Sequence, residues 1–235
     1  MRFIPFAFSA LTGVLLILVF PRFDIEILAW VAFVPLFFSI RGQGLKRSFI
    51  NGFIAGVVAN LGILYWTTVA MSVYGRIPWV LSGIILLLLA GIISVLYFGP
   101  FALAVEYLSG KGIIEALSAP VLWTSLEFIR NYLFTGFPWE NLGYSQYLNL
   151  PLIQMSEYTG VYGVSFIVML ANASIYSLLE GILKEGRSIK FKKWVGAVLT
   201  ACLILGICVF GHRRLSEVRN SSNSAPRLKV GLVQG

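Results

Sequence analysis

The stretch WVLSGIILLLLAGIISVLYFGPFAL, residues 79–103, contains no charged side chain. About 20 consecutive apolar residues are enough for an α-helix to cross the hydrocarbon core of a membrane. Apolar runs of this kind recur, and the sequence predicts an all-α integral membrane bundle of about seven transmembrane helices. The predicted spans are residues 3–20, 25–40, 49–71, 79–103, 113–134, 153–179 and 194–210. The second run is short and contains Pro35, which makes it the weakest of the seven.

The composition agrees with a membrane protein. Hydrophobic residues make up 58% of the 235 residues and charged residues only 12%, with a mean hydropathy of +0.85. Soluble domains carry about 25% charged residues. In a soluble protein the net charge of +8 would suggest nucleic-acid binding, but the positions of the charges indicate another role.

The positive charges fall mainly on one side of the predicted bundle. With the N-terminus inside, ten lysines and arginines lie in inside connections, whereas the short outside connections hold only Arg22, Arg76 and Arg130. Cytoplasmic loops of membrane proteins carry this excess of Lys and Arg. We therefore expect a cytoplasmic N-terminus, an outer C-terminal end, and no nucleic-acid partner.

A polar segment, TGFPWENLGYSQ at residues 135–146, follows the fifth predicted span. Irregular backbone is costly in lipid because its N–H and C=O groups find no water, so such a loop is either a surface turn or part of a site. The composition favours a site. It contains the turn formers Gly136 and Pro138, the aromatic residues Phe137, Trp139 and Tyr144, and the amides Asn141 and Gln146.

Two ionisable residues, Glu127 and Arg130, precede this segment on one face of the fifth span, because residues three apart in a helix are neighbours. They either form an ion pair with each other, or Arg130 contacts a lipid phosphate, which its planar fork suits, while Glu127 orients it. Asn131 would add a donor. Ionisable groups inside a membrane are functional candidates by default.

Other polar residues carry weaker signals. Glu140 and Glu157 are expected to be solvated charges at the outer interface. His212 is the only histidine, and a metal site needs more ligands than one. Cys202 and Cys208 lie six apart in one apolar run and do not face each other. We therefore expect no metal site and no cofactor.

The C-terminal part changes character. We assign residues 1–211 to the membrane domain and residues 212–226 to a polar linker. Residues 228–234 alternate apolar side chains and predict a β-strand. A lone strand is not stable by itself, so residues 227–235 are either a frayed tail or the opening strand of a further domain.

Several segments together resemble the membrane domain of the apolipoprotein N-acyltransferase family. They are EFIR at 127–130, TGFPW at 135–139, GYSQ at 143–146 and GVYGVSF at 160–166. KVGLVQG at 229–235 resembles the first strand of that family's nitrilase-like α/β domain. The resemblance runs in order along the whole chain.

The resemblance implies an enzyme of the bacterial inner membrane with a periplasmic nitrilase-like domain. The family transfers an acyl chain from a phospholipid to a cysteine, and then to the free amine of the diacylglyceryl-cysteine of an apolipoprotein. A Glu-Lys-Cys triad in the nitrilase-like domain performs the chemistry. We expect no catalytic residue within these 235 residues and no acyl transfer by them alone, because the sequence reaches only the first strand of that domain.

The implied partners are a phospholipid acyl donor, an apolipoprotein acceptor and membrane lipid. The candidate substrate or lipid contacts are Glu127, Arg130, Asn131, Gly136, Phe137, Pro138, Trp139, Gly143, Tyr144, Ser145 and Gln146. The alternative is a small polytopic transporter or a membrane scaffold. A transporter commonly shows internal repeats and helices broken near the midplane, and the sequence shows neither.

Overall fold

A computed structural model of the chain describes residues 4–110, 115–133, 136–185, 191–224 and 230–233. These residues contain ten α-helices and no strand. The helices are α1 (Ile4–Val19), α2 (Val34–Ile40), α3 (Leu45–Ile63), α4 (Trp66–Val69), α5 (Trp79–Ile93), α6 (Gly99–Gly110), α7 (Glu115–Tyr132), α8 (Leu150–Ile153), α9 (Ser156–Glu185) and α10 (Phe191–Ser224). The all-α class predicted from the apolar runs is confirmed.

Among the described residues, three continuous helical segments are long and apolar enough to cross a membrane: Trp79–Ser109, Ser156–Lys184 and Lys193–Ser222. The first joins α5 to α6 through a π-helical turn, Ser94–Phe98. A fourth crossing is possible by length and composition if Leu45–Ile63 and Trp66–Tyr74, which are bent by 48°, form one broken span. The apolar segments Ile4–Val19 and Glu26–Ile40 are shorter than these spans. The predicted number of seven transmembrane helices therefore stays a prediction.

Helix α3 lies at the centre of the bundle against α1, α6 and the π-helical turn. Glycines on one face let the backbones approach: a Cβ on Gly52 would lie 2.3 Å from the carbonyl oxygen of Phe98, and one on Gly56 would lie 2.7 Å from the Phe98 side chain. Small residues spaced four apart commonly allow such contact between membrane helices.

The weakest predicted span is a broken one. Residues 26–40 form a short 3-10 helix, Glu26–Trp30, followed by a turn and α2. The side chain of Asn172 in α9 bridges the break, since it accepts from the N–H of Phe33 at 2.8 Å and donates to the carbonyl of Ala29 at 2.7 Å. Irregular backbone is tolerated here because the surrounding protein satisfies its polar groups.

Polar contacts place the connections at two ends of the bundle. At one end, Glu180 of α9 lies 3.6 Å from Arg41, which follows α2, and 3.3 Å from Lys193 of α10. At the other end, Gln146 of the polar loop donates to the carbonyl of Glu26. Arg41 and Lys193 thus lie at the same end of the bundle; both belong to the set predicted to be inside, and the orientation stays a prediction.

The C-terminal part differs from a simple linker. Helix α10 continues to Ser224, so residues 212–224 are helical where a polar linker is predicted. Residues 230–233 adopt no regular secondary structure. The rest of the predicted strand lies outside the described residues, and its assignment to a further domain stays a prediction.

Candidate functional site

The candidate site is built on one face of α7. Trp123, Glu127 and Arg130 recur at helical spacing and point into the bundle, where Glu127 and Arg130 are each only 2% exposed. The loop that follows α7, residues 136–149, folds back over this face. Charged side chains that are almost fully buried need hydrogen-bond partners, and the loop supplies them.

Glu127 fixes the middle of the loop. Its Oε1 atom accepts from the backbone N–H of Leu142 at 2.6 Å and from Nε1 of Trp123 at 2.8 Å. The hydroxyl of Ser165 in α9 also lies close to this carboxylate. Through these three contacts Glu127 ties α7, α9 and the loop together.

Arg130 fixes the first half of the loop. Its Nη2 atom donates to the carbonyl of Trp139 at 2.8 Å and to Oδ1 of Asn141 at 2.9 Å. The guanidinium also lies over the ring of Tyr97, 5.6 Å from its centroid. Arg130 thus binds the loop from beneath.

This geometry answers the two alternatives for the pair. The charged atoms of Glu127 and Arg130 form no salt bridge within 4 Å among the described residues, although the two charges interact through space, and the hydrogen bonds of both side chains go to the loop instead. At 2% exposure the guanidinium has no open path to a lipid phosphate in this conformation. A phosphate contact by Arg130 stays a prediction that would require the loop to move.

Two glycines shape the loop. Gly136 has φ +80°, a conformation that favours glycine, and its N–H donates to the carbonyl of Leu133. Gly143 lies against α9: its N–H donates to Oγ of Ser165 at 2.8 Å, and a Cβ on it would lie 2.6 Å from the carbonyl oxygen of Val161. Thr135 lies outside the described residues.

The second half of the loop contains a 3-10 turn, Leu142–Gln146, that is buried except at Tyr144. Oγ of Ser145 donates to the carbonyl of Leu142. The amide of Gln146 accepts from Nε1 of Trp30 at 3.1 Å and donates to the carbonyl of Glu26 at 3.0 Å. Of these two predicted substrate contacts, Gln146 therefore connects the loop to the broken segment 26–40, whereas Ser145 bonds within the loop.

The exposed surface of the loop is aromatic. Trp139 is 48% exposed and Tyr144 45% exposed, and Pro138 is exposed beside them. The Trp139 ring packs edge-on against Phe137 at 5.0 Å and against Trp66 at 5.1 Å between centroids. Of the predicted contacts in the loop, Trp139, Tyr144 and Pro138 are the ones that a substrate could reach directly.

Asn131 contacts α9 rather than Arg130. Its Nδ2 donates to the hydroxyl of Tyr162 in α9 at 2.9 Å. The structure therefore does not bring Asn131 to Arg130 as a second donor. Instead it joins α7 to α9 just below the loop.

The expectation that Glu140 is a solvated surface charge is wrong. Its side chain is 9% exposed and borders a small cavity of about 10 Å³ together with Arg130, roughly the space of one water molecule. Burial raises the pKa of Glu140 to about 7, and the charge of Arg130 opposes that rise. Glu157, by contrast, is exposed and pairs with Arg214 at 2.7 Å.

The sequence reasoning missed three residues that complete the site, Trp123, Ser165 and Trp66. Trp123 and Ser165 contact Glu127, whereas Asn141, whose amide was noted in the loop, is fully buried and accepts from Arg130. Trp66 packs on Trp139. The spacing of Trp123 four residues before Glu127 was a readable signal, whereas nothing in the sequence brings Trp66 near the loop.

The described residues contain no group of three or more His, Cys, Asp or Glu side chains that could hold a metal ion. The site consists instead of a buried carboxylate, a buried guanidinium and the loop that they hold. What this arrangement can do chemically is position an aromatic surface at the end of the bundle.

Comparison with known proteins gives consistent matches. The family model of the apolipoprotein N-acyltransferase N-terminal domain matches residues 12–174. Similar proteins named apolipoprotein N-acyltransferase include those of Geobacter metallireducens, 40% identical over 97% of this chain and 42% of that protein, Pasteurella multocida, 30% identical over 86% and 38%, and Chlorobaculum tepidum, 28% identical over 98% and 41%. The chain spans about two fifths of the length of these relatives.

Proposed function

Because this chain belongs to the apolipoprotein N-acyltransferase family, we propose that it forms the membrane part of an enzyme that moves an acyl chain from a phospholipid to the N-terminal amine of an apolipoprotein. The matched region, residues 12–174, includes α7, the loop and the first half of α9. Since the relatives are more than twice as long, the activity is proposed for the full-length protein.

We place the protein in the bacterial inner membrane with seven crossings and a cytoplasmic N-terminus. The excess of Lys and Arg in the inside connections supports this orientation. The contacts of Glu180 with Arg41 and Lys193 support it as well, because they gather residues of that set at one end. The loop at residues 136–149 and the C-terminal end of α10 then lie at the periplasmic side.

The observation that carries the proposal is the way Glu127 and Arg130 hold the loop. Both charges are buried beneath it and bind Leu142, Trp139 and Asn141. As a result the exposed rings of Trp139 and Tyr144 are held at the membrane surface. Aromatic side chains with one apolar and one polar side suit this interface.

In the proposed mechanism this aromatic surface is a rigid contact surface that orients lipid chains toward the catalytic part of the protein. The family resemblance assigns the chemistry to a Glu-Lys-Cys triad outside these residues. The residues of this chain therefore bind and orient. Holding a reacting group in place lowers the entropic cost of reaction, which is the contribution expected from the loop.

The test is acyl transfer by the full-length protein in bilayers that contain a phospholipid labelled in its acyl chain. The acceptor is a diacylglyceryl-cysteine peptide, and mass spectrometry locates the label. We expect label on the free amine, and none on a matched peptide whose amine is acetylated. If the parent protein leaves the free amine unlabelled, the result would contradict the proposal and favour the alternative of a transporter or scaffold.

A further inference from the structure

A second hollow lies beside the site, at the ends of α1 and α3. It is a surface cleft of about 280 Å³. Its apolar wall includes Ile17, Phe23 and Ile63, and its polar groups are Arg22 and Tyr65. None of these residues takes part in holding the loop, so the candidate site described above does not account for the cleft.

The backbone around the cleft is specialised. Gly62 lines it, and a Cβ there would lie 2.3 Å from the side chain of Ile17, so α1 and α3 approach closely at its base. Arg22 has φ +102°, which is uncommon for a residue with a side chain. Such conformations concentrate at functional sites, which makes an observed case a reason to look for a ligand.

Arg22 supplies the charge of the cleft. Its guanidinium lies 5.4 Å from the centroid of the Tyr65 ring, a cation–π contact that orients the group. Among the described residues Arg22 forms no ion pair and no side-chain hydrogen bond. The nearby carboxylate of Asp24 lies by the hydroxyl of Tyr147 instead. The planar fork of Arg22 therefore keeps its donors available for an anion.

An exposed guanidinium above an apolar wall, at the end of a membrane helix, matches the chemistry of a phospholipid. The fork of arginine suits phosphate oxygens, and Ile17, Phe23 and Ile63 suit the methylene groups below them. The volume of about 280 Å³ holds a phosphate and the start of a chain. The exposed side chain of Val14, about one turn before Ile17, continues the apolar path along α1.

We propose that this cleft binds the phosphodiester and upper acyl chain of a phospholipid. Arg22 contacts the phosphate, Tyr65 orients Arg22, and Ile17 and Ile63 contact the chain. Ile63 also lines the small cavity that Glu140 borders, so the cleft and that cavity share a lining residue. The binding requires no acyl transfer and does not rest on the proposed activity.

The test is photo-cross-linking of the full-length protein in bilayers that contain phosphatidylglycerol with a photoactivatable acyl chain. We expect labelled peptides that contain residues 17–23 and 62–65. Arg22→Gln should reduce this labelling about fivefold to tenfold, the effect of losing a charged hydrogen bond. The matched control is Arg76→Gln, which removes another exposed arginine with positive φ and should leave labelling unchanged.

Two further experiments show whether the cleft recognises the phosphodiester of a phospholipid. A photoactivatable diacylglycerol, which lacks the phosphate, should label the cleft weakly and independently of Arg22. Excess inorganic phosphate should not displace the phospholipid. Equal labelling in parent and Arg22→Gln, equal labelling by diacylglycerol, or displacement by inorganic phosphate would each overturn the proposal.

A second variant keeps the test decisive if Arg22→Gln does not fold. Tyr65→Leu removes the ring that orients the guanidinium and should also lower labelling by phosphatidylglycerol, whereas unchanged labelling would overturn the proposal. The readout needs no turnover. A parent protein that transfers acyl chains but is not labelled at the cleft therefore refutes the lipid site alone, and a parent protein that is labelled there but transfers no acyl chain refutes the proposed enzyme alone.

Discussion

The backbone N–H of Leu142 donates to the carboxylate of Glu127 over 2.6 Å, although 15 residues separate the two in the chain. This bond, together with the Trp123 contact to the same oxygen, turns a polar loop into a fixed part of the bundle. The consequences of that arrangement can be measured.

Removing the carboxylate should destabilise the protein. Glu127→Ala leaves the N–H of Leu142 and Nε1 of Trp123 buried without acceptors, and each such group costs about 1–3 kcal/mol. Thermal unfolding in detergent should show a clear drop in the unfolding temperature. Glu157→Ala, which removes an exposed carboxylate, is the control and should change it little. Equal shifts for the two variants would contradict this role of Glu127.

Removing the guanidinium should loosen the loop. Arg130→Gln loses the donor to Trp139 and Asn141, so amide hydrogens in residues 136–146 should exchange about tenfold faster or more, equivalent to a loss of about 1.4 kcal/mol. Arg76→Gln should leave those rates unchanged. Unchanged exchange in Arg130→Gln would show that other contacts hold the loop.

A methyl group at residue 143 should separate the loop from α9. A Cβ there would lie 2.6 Å from the carbonyl of Val161, and forcing atoms into a packed interior costs about 1–3 kcal/mol. Gly143→Ala should therefore lower the unfolding temperature. Gly83→Ala, where the added Cβ meets nothing within 4 Å, should be neutral or stabilising. A neutral Gly143→Ala would argue that the loop is free to shift.

The buried Glu140 should make stability depend on pH. Its pKa is about 7 in the folded protein against an ordinary value of 4.5, so the folded state binds more protons than the unfolded state between these values. Its contribution is therefore most favourable below about pH 4.5 and is lost as the pH rises to about 7.

Unfolding measured across pH 4–8 tests this linkage. Glu140→Gln cannot titrate at this position and should flatten the decline in that window relative to the parent protein. The same slope in both proteins would mean that other groups set the pH dependence.

The apolar runs predicted much of the fold but not the way the site is packed. The apolar run at 79–103 corresponds to the observed span Trp79–Ser109, and the run at 153–179 corresponds to Ser156–Lys184. Such spans can be predicted because the hydropathy of about 20 consecutive residues is a local property of the sequence. The non-helical conformation of Gly160 inside α9 was missed, since glycine in a membrane helix usually indicates packing.

The loop shows why the rest could not be read from the sequence. Its importance followed from its composition, yet Glu140 was expected in water and lies buried. Burial of a loop residue depends on which elements fold over it, and here those elements come from α1, α3 and α7. Likewise Trp66, the first residue of α4, packs on Trp139, a contact between residues far apart in the chain that no local sequence pattern predicts.

The most direct test of the central claim is the rate of N-acylation by the full-length protein carrying Trp139→Ala. Trp139 is half-exposed and bound to Arg130 only through its backbone, so the variant should keep the fold of the parent, with a modest loss of stability from the lost ring contacts to Phe137 and Trp66. The control is Trp79→Ala, which removes an exposed tryptophan at the start of α5 and should leave turnover unchanged. We predict that Trp139→Ala lowers turnover about tenfold, as expected when one positioning contact is lost, whereas parental turnover with an intact fold would contradict the account.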